Sequence, residues 1–181
     1  FNHIDFEVEH GALRDPVVRR ALRLATDRRT ILAKIRHGVG VLQETPFPPG
    51  APFHFDLPLG PYDLAAANRM LDGAGWKRGA DGIRAKGADR LQFVVAIGVG
   101  NPDIDAIVEQ LRQSWKSIGA GFELRHYPSP IYFAQAQAGG IIYSGKYDVA
   151  IYAWYTPPNG DMRNLFGSDR VPPRGQNIPR Y

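Results

Sequence analysis

The residues best suited to hold a small polar solute lie close together in the stretch Tyr152 to Asp161, Y-A-W-Y-T-P-P-N-G-D. Trp154 and Tyr155 offer rigid, flat contact area with a polar edge. Thr156, Asn159 and Asp161 add directional hydrogen-bonding groups of the kind that orient a ligand. Tyr132, upstream on a predicted helix, completes the candidate set. The loop carries only Asp161 as an acid, with Arg163 nearby, whereas acid–base catalysis requires positioned proton donors and acceptors of tuned pKa. The composition of this loop therefore favours binding over catalysis. The competing reading is that Trp154 is a core residue and the loop merely connects two elements.

Other chemistries find less support. The five histidines show no H-E-x-x-H spacing or other helical metal pattern. His10 follows Glu7 and Glu9, but on a continuing strand the two glutamates would share a face from which His10 points away. No G-x-S-x-G elbow occurs, and Ser144-Gly145 lies in a glycine-rich loop. Gly98-Val99-Gly100 falls between a predicted strand and helix, the position of a dinucleotide-binding turn. The third glycine of that fingerprint would be Asp103, a poor neighbour for a pyrophosphate. A plain strand-to-helix loop with no cofactor is expected. With no cysteine, the chain has no disulfide, thiolate metal site or cysteine nucleophile. Arg19, Arg20, Arg23, Arg28 and Arg29 are the densest charge cluster behind the net charge of +4. They lack interleaved aromatics and read as a solvated helix face, not a nucleic-acid surface.

The elements that must position the candidate residues follow from periodicity. Ile4, Phe6 and Val8 alternate with polar neighbours, predicting a half-buried strand. Asp15 caps a helix that begins with Pro16, and Val18, Ala21, Leu22 and Ala25 form its apolar face. A second helix is expected from Arg28 to Gly38. Residues 45–61 contain six prolines and form an irregular surface loop whose phenylalanines Phe47, Phe53 and Phe55 need somewhere to pack. Asp63 caps a third helix ending near Gly75, and Asp81-Gly82 is a hairpin turn leading to Ile83–Lys86. Leu91 to Val99 reads as a strand buried on both faces. A helix is expected over 103–118, a strand over 122–127, a helix from Ser129 to about Ala138, and a strand over 147–154. The β-α-β-α-β order of residues 91–154 argues an α/β fold, a mixed or largely parallel sheet flanked by helices.

At 181 residues, with 44% hydrophobic and 22% charged residues, the chain has the make-up of one folded domain. No apolar run approaches the ~18 residues of a membrane span. The opening Phe1-Asn2-His3 carries no charged leader, which suggests a mature form or an internal piece.

Taken in order, several motifs resemble those of the family 5 solute-binding proteins that serve bacterial ABC importers of oligopeptides, dipeptides and nickel. D-P-V-V-R-R-A-L-R-L-A-T-D-R over 15–28 is similar to a hallmark segment of that family. Y-D-L-A-A-A-N-R-M-L-D-G-A-G-W over 62–76, D-G-I-R over 81–84, Ile118-Gly119, G-K-Y-D over 145–148 and G-Q-N over 175–177 with Tyr181 resemble later ones. The resemblance spans nearly the whole chain. It implies that residues 1–181 form a single α/β lobe of a two-lobed periplasmic protein, monomeric when full-length, which closes on a solute and delivers it to a membrane permease. It also implies that Trp154 lines the ligand pocket. In peptide-binding members the aspartate that meets the α-ammonium would stand at Pro157, and an arginine at Ile151. Both positions depart from that pattern. A peptide-like solute remains the expectation, with an opine, a sugar or a metal chelate, or an α/β enzyme acting on a small polar substrate, as the alternatives.

Overall fold

In the computed structural model, which describes residues 1–181, the chain opens with strand β1 (Asn2–Phe6). Helix α1 (Pro16–Leu24) starts as its sequence dictates: the Asp15 carboxylate accepts the Val17 amide at 2.9 Å, and Pro16 occupies the first turn. Val18, Ala21, Leu22 and Ala25 are completely buried. Asp27 caps α2 (Arg28–Thr30), which continues as a wider π turn through Ile31–Ile35 instead of the single α-helix expected here. Gly38 stops it at φ +77°, its amide bonded to the Leu32 carbonyl at 2.8 Å. Residues 45–61 contain no helix or strand. Beyond them, Asp63 caps α3 (Leu64–Gly73), and the turn at Asp81-Gly82 lies within a small three-stranded sheet of β2 (Lys77–Arg78), β3 (Arg84–Lys86) and β4 (Asp89–Arg90).

The main sheet has the order β1-β7-β5-β6. Strand β5 (Gln92–Gly98) lies parallel to both β6 (Gly121–Tyr127) and β7 (Val149–Ala153), and β1 runs antiparallel along the outside of β7. Helix α4 (Pro102–Ser117), capped by Asn101, makes the crossover from β5 to β6. The sheet is mixed, as expected. Alternation along the strands sends Phe93, Val95, Ile97, Val149 and Ile151 into a large core with α1, α3 and α4. Ala96, Ala150 and Tyr152 enter a smaller core on the opposite face, with Tyr132, Ile142, Tyr147 and Ile178. Both faces are thus covered, which explains why β5 reads as an almost unbroken apolar run.

Two further local expectations are corrected. The helix predicted from Ser129 to about Ala138 is interrupted: α5 covers only Ser129–Tyr132, followed by a short 3₁₀ turn at Ala136–Ala138. The chain doubles back there, with the Ile141 and Ile142 amides donating to the Ile131 and Tyr132 carbonyls at 3.3 Å. Gly140 passes so close to Ala134 that a Cβ would lie 1.7 Å from its carbonyl oxygen. The second correction concerns His10. Strand β1 ends at Phe6, so its alternation stops, and His10 Nδ1 comes within 2.6 Å of the buried Glu7 carboxylate. Burial pushes the Glu7 carboxyl up, opposed by His10, the Glu9 amide and Arg180.

One residue that periodicity did not single out fastens the small sheet to the rest. Arg84 is 3% exposed. Its Nε donates to the Ile118 carbonyl at 2.8 Å, Nη1 to the Trp76 carbonyl at 2.6 Å and to Asp72 at 2.5 Å, and Nη2 to Asn68 Oδ1 at 2.8 Å. A planar fork with five donors can satisfy acceptors from three directions at once.

Candidate functional site

Because β5, β6 and β7 run in one direction, their carboxyl ends meet along one margin of the sheet, together with the start of β1. Ligands of open α/β sheets meet the loops at this margin. Trp154 extends β7 there, its amide bonded to the Phe1 carbonyl at 3.0 Å. The indole is half-buried and packs edge-on against Tyr152, ring centroids 5.8 Å apart. Tyr152 in turn meets His3 at 4.5 Å and Phe133 at 6.1 Å, and its hydroxyl donates to the Asp5 carboxylate. Burial pushes the Tyr152 phenol well above its ordinary range, with the Asp5 charge adding to the effect. It is a neutral donor that holds the wall behind Trp154.

Above this support the surface opens. Tyr155 is 75% exposed, and Val99, Ile131 and Phe133 are each close to half exposed in the loops after β5 and β6. This is an apolar, aromatic face with solvent on one side. A pocket that encloses a small ligand removes most of the ligand's surface from water, so such a face supplies one wall.

The candidate residues are placed unequally. Trp154, Tyr155, Thr156, Asn159 and Asp161 lie on one continuous stretch of this margin. Tyr132 does not reach the surface. It is 1% exposed, and its hydroxyl donates to the Ala96 and Ile151 carbonyls at 3.0 and 3.3 Å. Burial raises its phenol too, and its role is to brace the sheet beneath Phe133, whose ring it meets at 4.8 Å. The short α5 decides this: it turns Tyr132 inward and leaves Ile131 and Phe133 outside. Asn159 and Asp161 each use one side-chain oxygen on the loop itself, accepting the Asp161 amide at 3.1 Å and the Arg163 amide at 2.9 Å. These are Asx turns that shape the path into α6 (Arg163–Phe166). Both residues remain exposed.

Thr156 reveals a neighbour that the sequence left unassigned. Its hydroxyl donates to the carbonyl of Pro46, in the proline-rich loop. A Cβ at Gly160 would lie 2.4 Å from the ring of Phe53. The signal was present in part, since the phenylalanines of that loop needed a surface to pack on. Nothing local identified the surface. The loop is closed at its base by Glu44, which accepts from Arg28, from the Gly60 amide at 2.7 Å and from Arg23 at 2.6 Å. Burial works to raise the Glu44 carboxyl, but these donors outweigh it and hold it at about 2.

No three histidine or acidic side chains gather into a metal-binding group. An open cleft of about 390 Å³ lies elsewhere, between Gly11–Pro16 and Trp76, Lys86 and Asp89. Its central acid is already engaged: Asp15 caps α1 and accepts the Trp76 indole N–H at 3.1 Å.

The sequence model described as bacterial extracellular solute-binding proteins, family 5 Middle, matches residues 1–172. The oligopeptide-binding protein AppA of Bacillus subtilis is 30% identical over 183 aligned residues, which take in 99% of this chain and 33% of that protein. The structure of AppA in complex with a nonapeptide superposes with a TM-score of 0.88 at 24% identity, covering all of this chain and 36% of that one. NikZ from Campylobacter jejuni in complex with Ni(L-His) superposes with a TM-score of 0.82 at 23% identity, again over the full chain and 36% of that structure. The chain therefore spans about a third of the length of these relatives.

Proposed function

Since the chain belongs to the bacterial extracellular solute-binding proteins of family 5, a family that binds solutes for ABC importers and does not transform them, we propose that residues 1–181 form one lobe of a two-lobed receptor. In this reading the receptor closes on a peptide-like solute in the periplasm and presents it to a membrane permease. The observation that carries the proposal is the one-sided aromatic wall at the carboxyl margin of the sheet. Tyr155 is three-quarters exposed beside a half-buried Trp154 that packs edge-on against the buried Tyr152. A second lobe would supply the opposite wall. Only a closed form in which both walls touch the solute gains its full binding energy, which is how a solute shifts such a receptor toward closure.

A nonapeptide occupies AppA and a nickel–histidine chelate occupies NikZ, so the same lobe architecture accompanies both chemistries. Pro157 and Ile151 offer no charge to a peptide terminus, which favours contact along an extended chain over capture of its ends. Exposed aromatic faces suit such contacts because they accept varied side chains without directional demands. Tyr155, Thr156, Asn159 and Asp161 are the proposed contacts, with Trp154 as the floor and Tyr132 as the brace beneath.

The test is mass spectrometry of solutes retained by the intact receptor, followed by titration of the identified solute into the wild-type protein and a Trp154→Ala variant. The expected result is a peptide, bound at least about tenfold more weakly by the variant, the loss of one well-placed aromatic contact. Unchanged affinity in both Trp154→Ala and a Tyr155→Ala variant would remove the site. A retained metal chelate would keep the site and replace the solute.

A further inference from the structure

The proline-rich loop 45–61 is built as a closed unit. Glu44 holds its two ends together through Arg23, Arg28 and the Gly60 amide. Its middle folds back on itself, with His54 Nδ1 2.8 Å from the Phe47 carbonyl and the Thr45 hydroxyl donating to the same oxygen at 3.0 Å. Compact loops with joined ends and internal packing are a recurrent functional element. At its tip Phe53 adopts φ +67°, a left-handed conformation that bulky residues rarely take and hold only when their surroundings enforce it.

What the unusual backbone achieves is visible at Gly160. That residue also has a positive φ, +70°, and an added Cβ would lie 2.4 Å from Cδ2 and Cε2 of the Phe53 ring. Glycine is therefore required there twice, for its backbone and for the space above it. Phe47 also meets Phe53, with 6.0 Å between ring centroids. A second attachment, Thr156 to the Pro46 carbonyl, ties down the other end of the same segment. Yet Phe53 remains 65% exposed, so burying its ring is not the main result of this contact.

We propose that Phe53 is a positioning residue for solute binding. The proline-rich loop acts as a strap whose Phe53 ring rests on Gly160, fixing the backbone of residues 155–161 so that Tyr155, Asn159 and Asp161 are presented in one arrangement. This rests on the assignment of that segment to the solute. Its physical basis is preorganisation: a loop already ordered in the free protein does not lose that freedom when the solute arrives. Truncating the ring frees the segment without removing any group proposed to touch the solute.

The experiment uses the intact receptor and two readouts, amide hydrogen exchange of residues 155–161 and calorimetric titration with a nonapeptide. In Phe53→Ala, exchange in the segment should rise by about tenfold or more, as in local opening of a loop deprived of a contact, while the core strands keep their protection. The nonapeptide should bind about tenfold more weakly, and Phe53→Tyr should restore both values. Unchanged exchange in Phe53→Ala overturns the strap. Faster exchange with unchanged affinity, when Trp154→Ala does weaken binding, overturns the positioning role and leaves the site standing. If Trp154→Ala and Tyr155→Ala both leave the affinity unchanged, the site assignment fails, and the positioning role fails with it. If the wild-type receptor takes up no nonapeptide, the solute recovered by mass spectrometry takes its place in the titration, and the same outcomes decide the strap and the positioning role.

Discussion

Replacing Arg84 with alanine would remove the buried side chain that joins the small sheet, α3 and the end of α4, a junction to which the exposed Arg78 adds bonds to Asn68 and the Ser117 carbonyl. The guanidinium reaches the Ile118 and Trp76 carbonyls at 2.8 and 2.6 Å inside the protein, and Asn68 at 2.8 Å nearer the surface. Leaving each of the two buried carbonyls without a donor costs about 1–3 kcal/mol. Asp72, its side chain 58% exposed, returns to water with little penalty. The expected loss is therefore about 4 kcal/mol, a large part of the roughly 5–15 kcal/mol that holds a domain together. Lysine should recover less than half of this, because one ammonium on a flexible stem cannot meet acceptors in three directions. Gly119 couples to the same site. A Cβ there would lie 2.7 Å from Arg84 Cγ, and its φ of +80° disfavours any side chain, so Gly119→Ala should destabilise by the same route. The assay is urea unfolding of the wild type, Arg84→Ala and Arg84→Lys, with the denaturant slope checked for constancy. A loss below about 1 kcal/mol in Arg84→Ala, or full rescue by lysine, would refute the view that satisfied buried acceptors make this junction.

Two further perturbations test other parts of the architecture. Glu44 is held at about 2 against an ordinary value of 4.5, so its contribution is present above pH 4.5 and fades as pH falls toward 2. The difference of 2.5 units corresponds to about 3 kcal/mol at most, reduced to about 2 because Arg23 is half exposed. Denaturation of the wild type should weaken across that acid range by more than that of Glu44→Gln, and parallel curves would contradict the assignment. Asp15→Ala removes both the α1 cap and the partner of the Trp76 indole, and should lower stability by about 1–2 kcal/mol in thermal unfolding, with Asp15→Asn close to wild type.

Much of this protein is legible locally because the signals are local. A cap such as Asp15 acts on an amide two residues away, and the Val18–Ala21–Leu22–Ala25 face is defined by the pitch of one helix. The same holds for the buried strand β5, the turn at Asp81-Gly82 and the ordered motifs that place the chain in its family. The expectation for His10 failed because it assumed a strand that had already ended at Phe6. The helix drawn through Ala138 failed because its apolar residues serve a chain reversal at Gly140 that periodicity does not register.

The sequence by itself therefore determined the elements, the mixed α/β sheet and the stretch of chain, 154–161, that faces the open margin. Only the tertiary structure decided which residues around that stretch reach the surface and which brace it from beneath. It put Tyr132 under the sheet margin, bonded to two carbonyls, and it brought Phe53 onto Gly160 and Arg84 between Ile118, Trp76 and Asn68. Each of these depends on a contact between residues far apart in the chain, whose types are unremarkable where they stand. A periodic pattern reports which face of an element is apolar. It does not report what that face, or a loop without periodicity, will meet.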